Sequence, residues 1–332
     1  MKQRICFFRA NAKIGDCIIS SFIPRELEKL VLEKGRKEKE ISVVVSESIA
    51  SLYYTNPHID KLIILPPMQY AIPETPHATT PLLVNVALLL GLIRFMLYTW
   101  IHPYNLMLTD VTIHTFRNNL YFRMLRVKKI LHLSPVPQLQ SHFTKVYQNL
   151  LLQLGAKNVD TSYELFIPTS KKKQALSFLQ QKNIGLQSFI VFNPCGSISQ
   201  RQLSEQQIQE ILRLLRAHNI PVILLDYQRR YVNFNQNAIL CSLNDILEVA
   251  TIIEHAKGVI TVDTSILHIT DIYQKPMLAL YCNDKYSIEN NRVVCASTNP
   301  RTLYLYSQDK ISDISLSTLQ ASVSNFLKNL PN

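Results

Sequence analysis

The sequence predicts two doubly wound α/β domains, on three observations. Apolar runs of strand length recur along the chain, helical patterns separate them, and a charged stretch divides them into two series. "RICFFR" (4–9) and "ISVVVS" (41–46) open the first series, with an apolar-periodic segment between them, and "YNLMLTD" (104–110) continues it. "FIVFNP" (189–194), "PVILLD" (221–226), "GVITVD" (258–263) and "PMLALYC" (276–282) make up the second. Helices are expected between them. "SEQQIQEILRLLRAHN" places Ser204 and Gln207 at capping-box spacing, where each side chain satisfies the other's backbone N–H. "NDILEVATIIEHAKG" runs from an expected cap at Asn244 to an expected stop at Gly258. Strand-helix-strand alternation at this spacing builds parallel sheets covered by helices on both faces. "PTSKKKQ" (168–174) sets the expected boundary, giving domains 1–167 and 168–332.

At 332 residues, 47% hydrophobic and 18% charged, the chain has enough apolar side chains for a sizeable core and is not a disordered protein. A formal net charge of +11 points to an anionic partner (nucleic acid, a membrane surface or a phosphorylated substrate) or to plain solubility. The six cysteines form no C-x-x-C and no zinc-spaced set with histidines. No apolar stretch of signal-peptide type follows the basic residues of "MKQRICFFRA", so a reducing cytoplasm is the expected setting.

One segment departs from the alternation. "LLVNVALLLGLIRFMLYTWI" (82–101) is 20 residues long, enough to span a bilayer, but Asn85 and Arg94 interrupt it. A buried helix, a membrane span, and a helix lying on the membrane surface with Tyr98 and Trp100 at the interface are all compatible with it.

Three strand ends carry groups suited to chemistry. In "ANAKIGDCIISSFIPRELEKL" (10–30) the chain turns at Gly15 and a helix begins near Asp16, with Pro24 kinking or restarting it. Ligands of open α/β sheets bind off the carboxyl ends of the strands, where Lys13 and Asp16 would lie. The plainer account of Asp16 is a carboxylate favoured by the helix macrodipole. In "FNPCGSISQRQLSEQQI" (192–208) a loop with Gly196, Ser197 and Arg201 offers backbone N–H groups and a guanidinium to a diphosphate, or is an ordinary solvated loop. In "VDTSILHI" (262–269) the helix start after Asp263 favours an anion, Thr264 and Ser265 add hydroxyls, and His268 follows one turn on. The G-x-G-x-x-G fingerprint of a Rossmann dehydrogenase is absent.

Taken in order, these stretches resemble the family 9 glycosyltransferases, the bacterial ADP-heptose:lipopolysaccharide heptosyltransferases. "KIGDCIISSFIPRELEK" resembles their Gly-Asp start, "SLYYTNPHIDKLIILP" (51–66) their N-P-x-x-D segment, and "PYNLMLTD" a strand of theirs. "FNPCGSISQRQLS" is similar to their N-P-G-A-S…K-x-W-P, and "VDTSILHITDIYQKPMLALY" to their N-D-T-G-x-x-H-x-A…K-P. The resemblance implies a GT-B fold, two Rossmann-like domains facing a central cleft, with an N-terminal acceptor domain and a C-terminal nucleotide-sugar domain. It implies an inverting glycosyltransferase that moves a heptose from ADP-heptose to a lipopolysaccharide core acceptor without metal, cofactor or nucleic acid. Asp16 matches the catalytic base, beside Lys13 on the acceptor side. Arg201 falls at the phosphate-contacting lysine, and Asp263, Thr264, Ser265 and His268 fall on the D-T-G-x-x-H residues, with Gly196 and Ser197 in the phosphate loop.

Three departures stand out. Ser265 replaces a glycine and would strain the loop if that position needs a positive φ. Arg201 exchanges a point charge for a planar fork. "LLDYQRRY" (224–231) lacks the family's glycines. Other readings are a GT-B enzyme with a different nucleotide sugar, and a non-catalytic relative that binds a nucleotide sugar or lipopolysaccharide. A core acceptor is a lipid-anchored anion, so the enzyme is expected to be cytoplasmic and peripheral on the inner membrane, where "RNNLYFRMLRVKK" (117–129) supplies Arg117, Arg123, Arg126, Lys128 and Lys129.

Overall fold

The computed structural model describes residues 2–9, 13–35, 38–66, 82–109, 116–132, 141–227, 229–241, 243, 245–282 and 294–331. Asp110 and Asn244 lie outside them, as do the side chains of Asn85 and Arg117. The chain forms two compact units, Met1–Phe166 and Ile167–Asn332.

The first unit holds strands β1 (Gln3–Arg9), β2 (Lys39–Ser46), β3 (Lys61–Leu65), β4 (Leu106–Thr109) and β5 (Ile130–His132), in the order β3-β2-β1-β4-β5, all parallel. β1 and β2 are buried almost throughout because helices cover both faces of a parallel sheet, which is why their apolar runs are continuous rather than alternating. The stretch 14–33 is two helices, α1 (Ile14–Ile19) and α2 (Ile23–Glu33). Pro24 sits in the first turn of α2, where its missing N–H has no intrahelical acceptor to lose. α3 (Leu82–Ile101) and α4 (Phe116–Met124) lie against one sheet face, where Phe8 meets Phe95 at 5.5 Å and Phe122 at 5.6 Å. After α5 (Phe143–Gln153) the chain returns along α2, held by Lys29 on the Asn158 carbonyl (3.1 Å) and by Arg25 on the Asp160 carbonyl (2.7 Å) and the Glu164 carboxylate.

The second unit has strands β6 (Ile190–Asn193), β7 (Val222–Leu225), β8 (Ile239–Cys241), β9 (Gly258–Val262), β10 (Met277–Cys282) and β11 (Thr302–Ser307), in the order β11-β10-β9-β6-β7-β8, again all parallel. Its helices are α6 (Thr169–Gln181), α7 (Glu205–Ala217), α8 (Ile246–Glu254), α9 (Ser265–Ile272) and α10 (Leu316–Lys328). The capping box of Ser204 and Gln207 opens α7. Ile208, Ile211, Leu212 and Leu215 recur at helical spacing on α7 and join Leu319, Val323 and Phe326 of α10 over Phe192, Leu224 and Ile260. Each such side chain contributes about 1.5–3 kcal/mol when fully buried.

Two expected helix ends are corrected. Asp245 caps α8 by accepting from the Leu247 N–H at 2.9 Å, so the cap is not Asn244. The helix stops at Glu254, and Gly258 is the first residue of β9. A Cβ at Gly258 would meet Leu330 at 2.8 Å and Phe326 at 2.9 Å, so this glycine serves close packing rather than a turn.

Candidate functional site

Each sheet has a point where the chain reverses its direction of growth. In the first unit the strands run outward from β1 to β3, then resume at β4 on the other side of β1. In the second they run from β6 to β8, then resume at β9 beside β6. Ligands of open α/β sheets gather beyond the carboxyl ends of the strands flanking such a point.

In the first unit that place follows Arg9. Asp16 is the third residue of α1, its side chain 31% exposed, and its carboxylate faces the Arg9 guanidinium at 3.9 Å, Arg9 being only 2% exposed. Lys13 is the N-cap residue, and its carbonyl accepts the Cys17 N–H at 3.1 Å. The helix start and Arg9 therefore both place positive potential beside one solvent-accessible carboxylate. The sequence signal for Arg9, a charge closing an apolar strand, is weak without knowledge of its neighbour.

In the second unit Asn193 ends β6 and is buried. Its amide donates to Thr261 Oγ1 and to Thr264 Oγ1, both at 3.0 Å, which ties the end of β6 to the β9–α9 turn. Thr264 also caps α9, accepting the Ile266 N–H at 3.3 Å. A hydroxyl has two acceptor sites and one proton. Both acceptor sites of the Thr264 hydroxyl are therefore engaged within the turn. The Ile266 N–H, expected among the anion donors, is instead engaged by the cap.

Arg201 reaches the same turn. Its guanidinium pairs with the Asp263 carboxylate at 3.0 Å and touches the Asp263 carbonyl at 3.3 Å. Asp263 is the more buried partner, 10% exposed against 20% for Arg201. The loop holding Arg201 closes where the Gly196 N–H donates to the Arg201 carbonyl at 2.9 Å. A Cβ at Gly196 would lie 2.6 Å from that of Arg201, so only glycine fits there. Ser197 is exposed on this loop.

Ser265 is the first residue of α9 and is not among the residues with positive φ, so serine at the family's glycine position carries no backbone strain. The segment after β7 manages without glycine in another way. The buried Asp226 carboxylate accepts the N–H groups of Arg230 (2.7 Å) and Tyr231 (3.2 Å), and Arg229 takes a left-handed φ of 53°. This turn brings Arg230 Nη1 to 3.9 Å from Cys195 Sγ, a second guanidinium beside the loop that the sequence reading did not single out.

His268 is buried, with Nδ1 4.0 Å from Asp271 Oδ2. Burial pushes the Asp271 carboxyl up to about 7, against the lowering effect of Ser297 and of the Thr298 N–H, which donates at 3.0 Å. Asp271 thereby fastens α9 to the segment before β11.

Residues 124–288 match the model of glycosyltransferase family 9 (heptosyltransferase), so the chain carries a domain of that family. A protein of Escherichia coli (strain K12), whose name assigns it provisionally as lipopolysaccharide heptosyltransferase 4, is 22% identical over 173 residues. The match covers 51% of this chain and spans about half (47%) of that relative. Among solved structures, a family 9 glycosyltransferase of Veillonella parvula superposes with a TM-score of 0.75 at 14% identity, over 98% of this chain and 97% of that one. The E. coli heptosyltransferase WaaC, solved with ADP, superposes with a TM-score of 0.65 at 13% identity, over 98% of this chain and 100% of that one. The fold is GT-B.

Proposed function

We propose that this chain, carrying its family 9 domain, is an inverting glycosyltransferase that moves a heptose from ADP-heptose to a hydroxyl of a lipopolysaccharide core acceptor. One observation carries the donor half. Arg201 and the Thr264 hydroxyl, both held by named partners, converge at the β6/β9 switch point beside a helix start, an arrangement suited to a diphosphate. In this reading the second unit binds the nucleotide sugar through Gly196, Ser197, Arg201, Asp263, Thr264, Ser265 and His268. The first unit receives the acceptor near Lys13.

As the acceptor oxygen bonds to the anomeric carbon, the bond from that carbon to the diphosphate oxygen breaks and its electron pair leaves with ADP. Arg201 and the Thr264 hydroxyl stabilise the growing phosphate charge. Asp16 takes the hydroxyl proton. In this reading transfer comes late, once attack has acidified the hydroxyl. The reaction takes place on the cytoplasmic side of the inner membrane, with the enzyme bound peripherally to its anionic surface.

A panel of nucleotide sugars, with and without a core-oligosaccharide acceptor, tests this. Turnover is expected with ADP-heptose plus acceptor. Preference for a UDP-hexose would reject the donor, and binding without turnover would make the chain a binding protein.

A further inference from the structure

α3 carries apolar side chains around most of its circumference, with Arg94 exposed beside them, and among the described residues its core contacts lie on one side. Leu88, Leu92, Phe95 and Met96 pack on the first unit's core with Phe8 and Phe122. On the opposite side Leu89, Leu90, Ile93, Leu97, Trp100 and Ile101 are exposed, Leu97 by 55% and Trp100 by 58%. At 100° per residue these six span about a third of the helix circumference in one continuous stripe. The stripe extends onto α4, because Trp100 Nε1 donates to the Met124 carbonyl at 3.0 Å and both Met124 and Leu120 are exposed. An unbroken apolar patch of this kind marks an interaction surface.

Its surroundings select the partner. Segment 82–132 contains Arg94, Arg117, Arg123, Arg126, Lys128 and Lys129 against one carboxylate, Asp110. Arg126 reaches the C-terminal end of α3, donating to the Trp100 carbonyl at 3.1 Å. A cavity of about 620 Å³ is lined by Lys2, Arg4, Arg126 and Lys128, with Glu40 bridging the first two. A second copy of this chain would bring the same positive charge to the patch and be repelled, whereas an anionic leaflet offers hydrocarbon for the stripe and phosphates for the cations.

We infer that the exposed stripe of α3, with the basic groups at its C-terminal end, is the surface by which this protein lies on an anionic bilayer, a refinement that rests on the peripheral-membrane part of the proposed function. The helix rests in the interface plane and does not cross it, since crossing would strip its inner side from Phe8 and Phe122. Among the described residues, no helix is long and apolar enough to cross a membrane. A tryptophan with its N–H satisfied and its ring exposed suits the headgroup level.

Trp100 is the chain's one tryptophan, so its fluorescence reports on this surface directly. With phosphatidylglycerol/phosphatidylcholine vesicles at low salt, the protein should co-sediment and the Trp100 emission should shift to the blue. Pure phosphatidylcholine should give little of either. Leu90→Gln/Leu97→Gln should lower partitioning by about tenfold or more, and Lys128→Gln and Lys129→Gln by about fivefold each. All three variants should keep wild-type melting temperatures and wild-type transfer to a soluble core oligosaccharide. Co-sedimentation without a blue shift, or unchanged by Leu90→Gln/Leu97→Gln, places another face on the membrane and overturns the inference while leaving peripheral binding intact. No co-sedimentation of the wild type overturns both. A blue shift that grows with protein concentration in the absence of vesicles also overturns it, making the stripe a contact between copies.

Discussion

Arg9–Asp16 and Arg201–Asp263 are both arginine–aspartate pairs at the switch point of a parallel sheet, but they are oriented oppositely. In the first unit the guanidinium is buried and the carboxylate is the accessible partner, at 3.9 Å. In the second the carboxylate is the more buried and the guanidinium the more accessible, at 3.0 Å. One pair therefore offers solvent a base and the other a cation. The same two residue types present opposite charges, according to which of the two is more buried.

If that contrast is functional, Asp16→Asn should have the largest effect. It removes the proton acceptor while keeping the shape, so transfer should fall roughly 10²–10⁴-fold with little change in donor affinity. Near-normal turnover in steady-state assays would break the comparison at its first member. Arg201→Ala should come next, weakening both ADP and the diphosphate donor by about 1.5–3 kcal/mol, the range for a charge-assisted hydrogen bond. Calorimetric titration with ADP measures this, and unchanged affinity would leave Arg201 a structural partner of Asp263 alone.

Gly196→Ala sharpens the second member. The new Cβ would meet Arg201 at 2.6 Å and displace it, so ADP affinity should drop by about 1 kcal/mol, less than on removing the guanidinium, in the same titration. The smallest effect is expected from Ser265→Gly. The backbone there needs no positive φ, so glycine relieves nothing and should lower stability by about 0.5–1 kcal/mol in a thermal melt. A rise in melting temperature would show that serine is strained at this position.

Much of the α/β architecture could be read locally. Parallel strands buried on both faces must be continuous apolar runs, and "ISVVVS", "GVITVD" and "PMLALYC" are such runs. The box at Ser204 and Gln207 involves residues three apart, so it too was legible. Four strands were not read from the sequence: β3, β11, and β5 and β8, the last two of three residues each and too short a pattern to stand out. Gly258 was misread because a glycine after a helical pattern suggests a C-cap, whereas the crowding by Phe326 and Leu330 comes from residues about 70 positions away.

Residue order along the chain thus specified most of the alternating elements, the capping box of α7 and the groups at the three strand ends, because propensity, periodicity and spacing act over a few residues. Which of those groups meet was settled by strand order. The resumption of the chain at β9 beside β6 brings Asn193 to Thr264, 71 positions on, and Arg201 to Asp263, 62 positions on. The fate of α3 was settled in the same way. Its apolar residues are spread around most of its circumference, and packing against Phe8 and Phe122 distinguishes the side that belongs to the core from the side that faces out. Burial is a property of the neighbours a residue acquires, and for these groups the neighbours are distant in the chain.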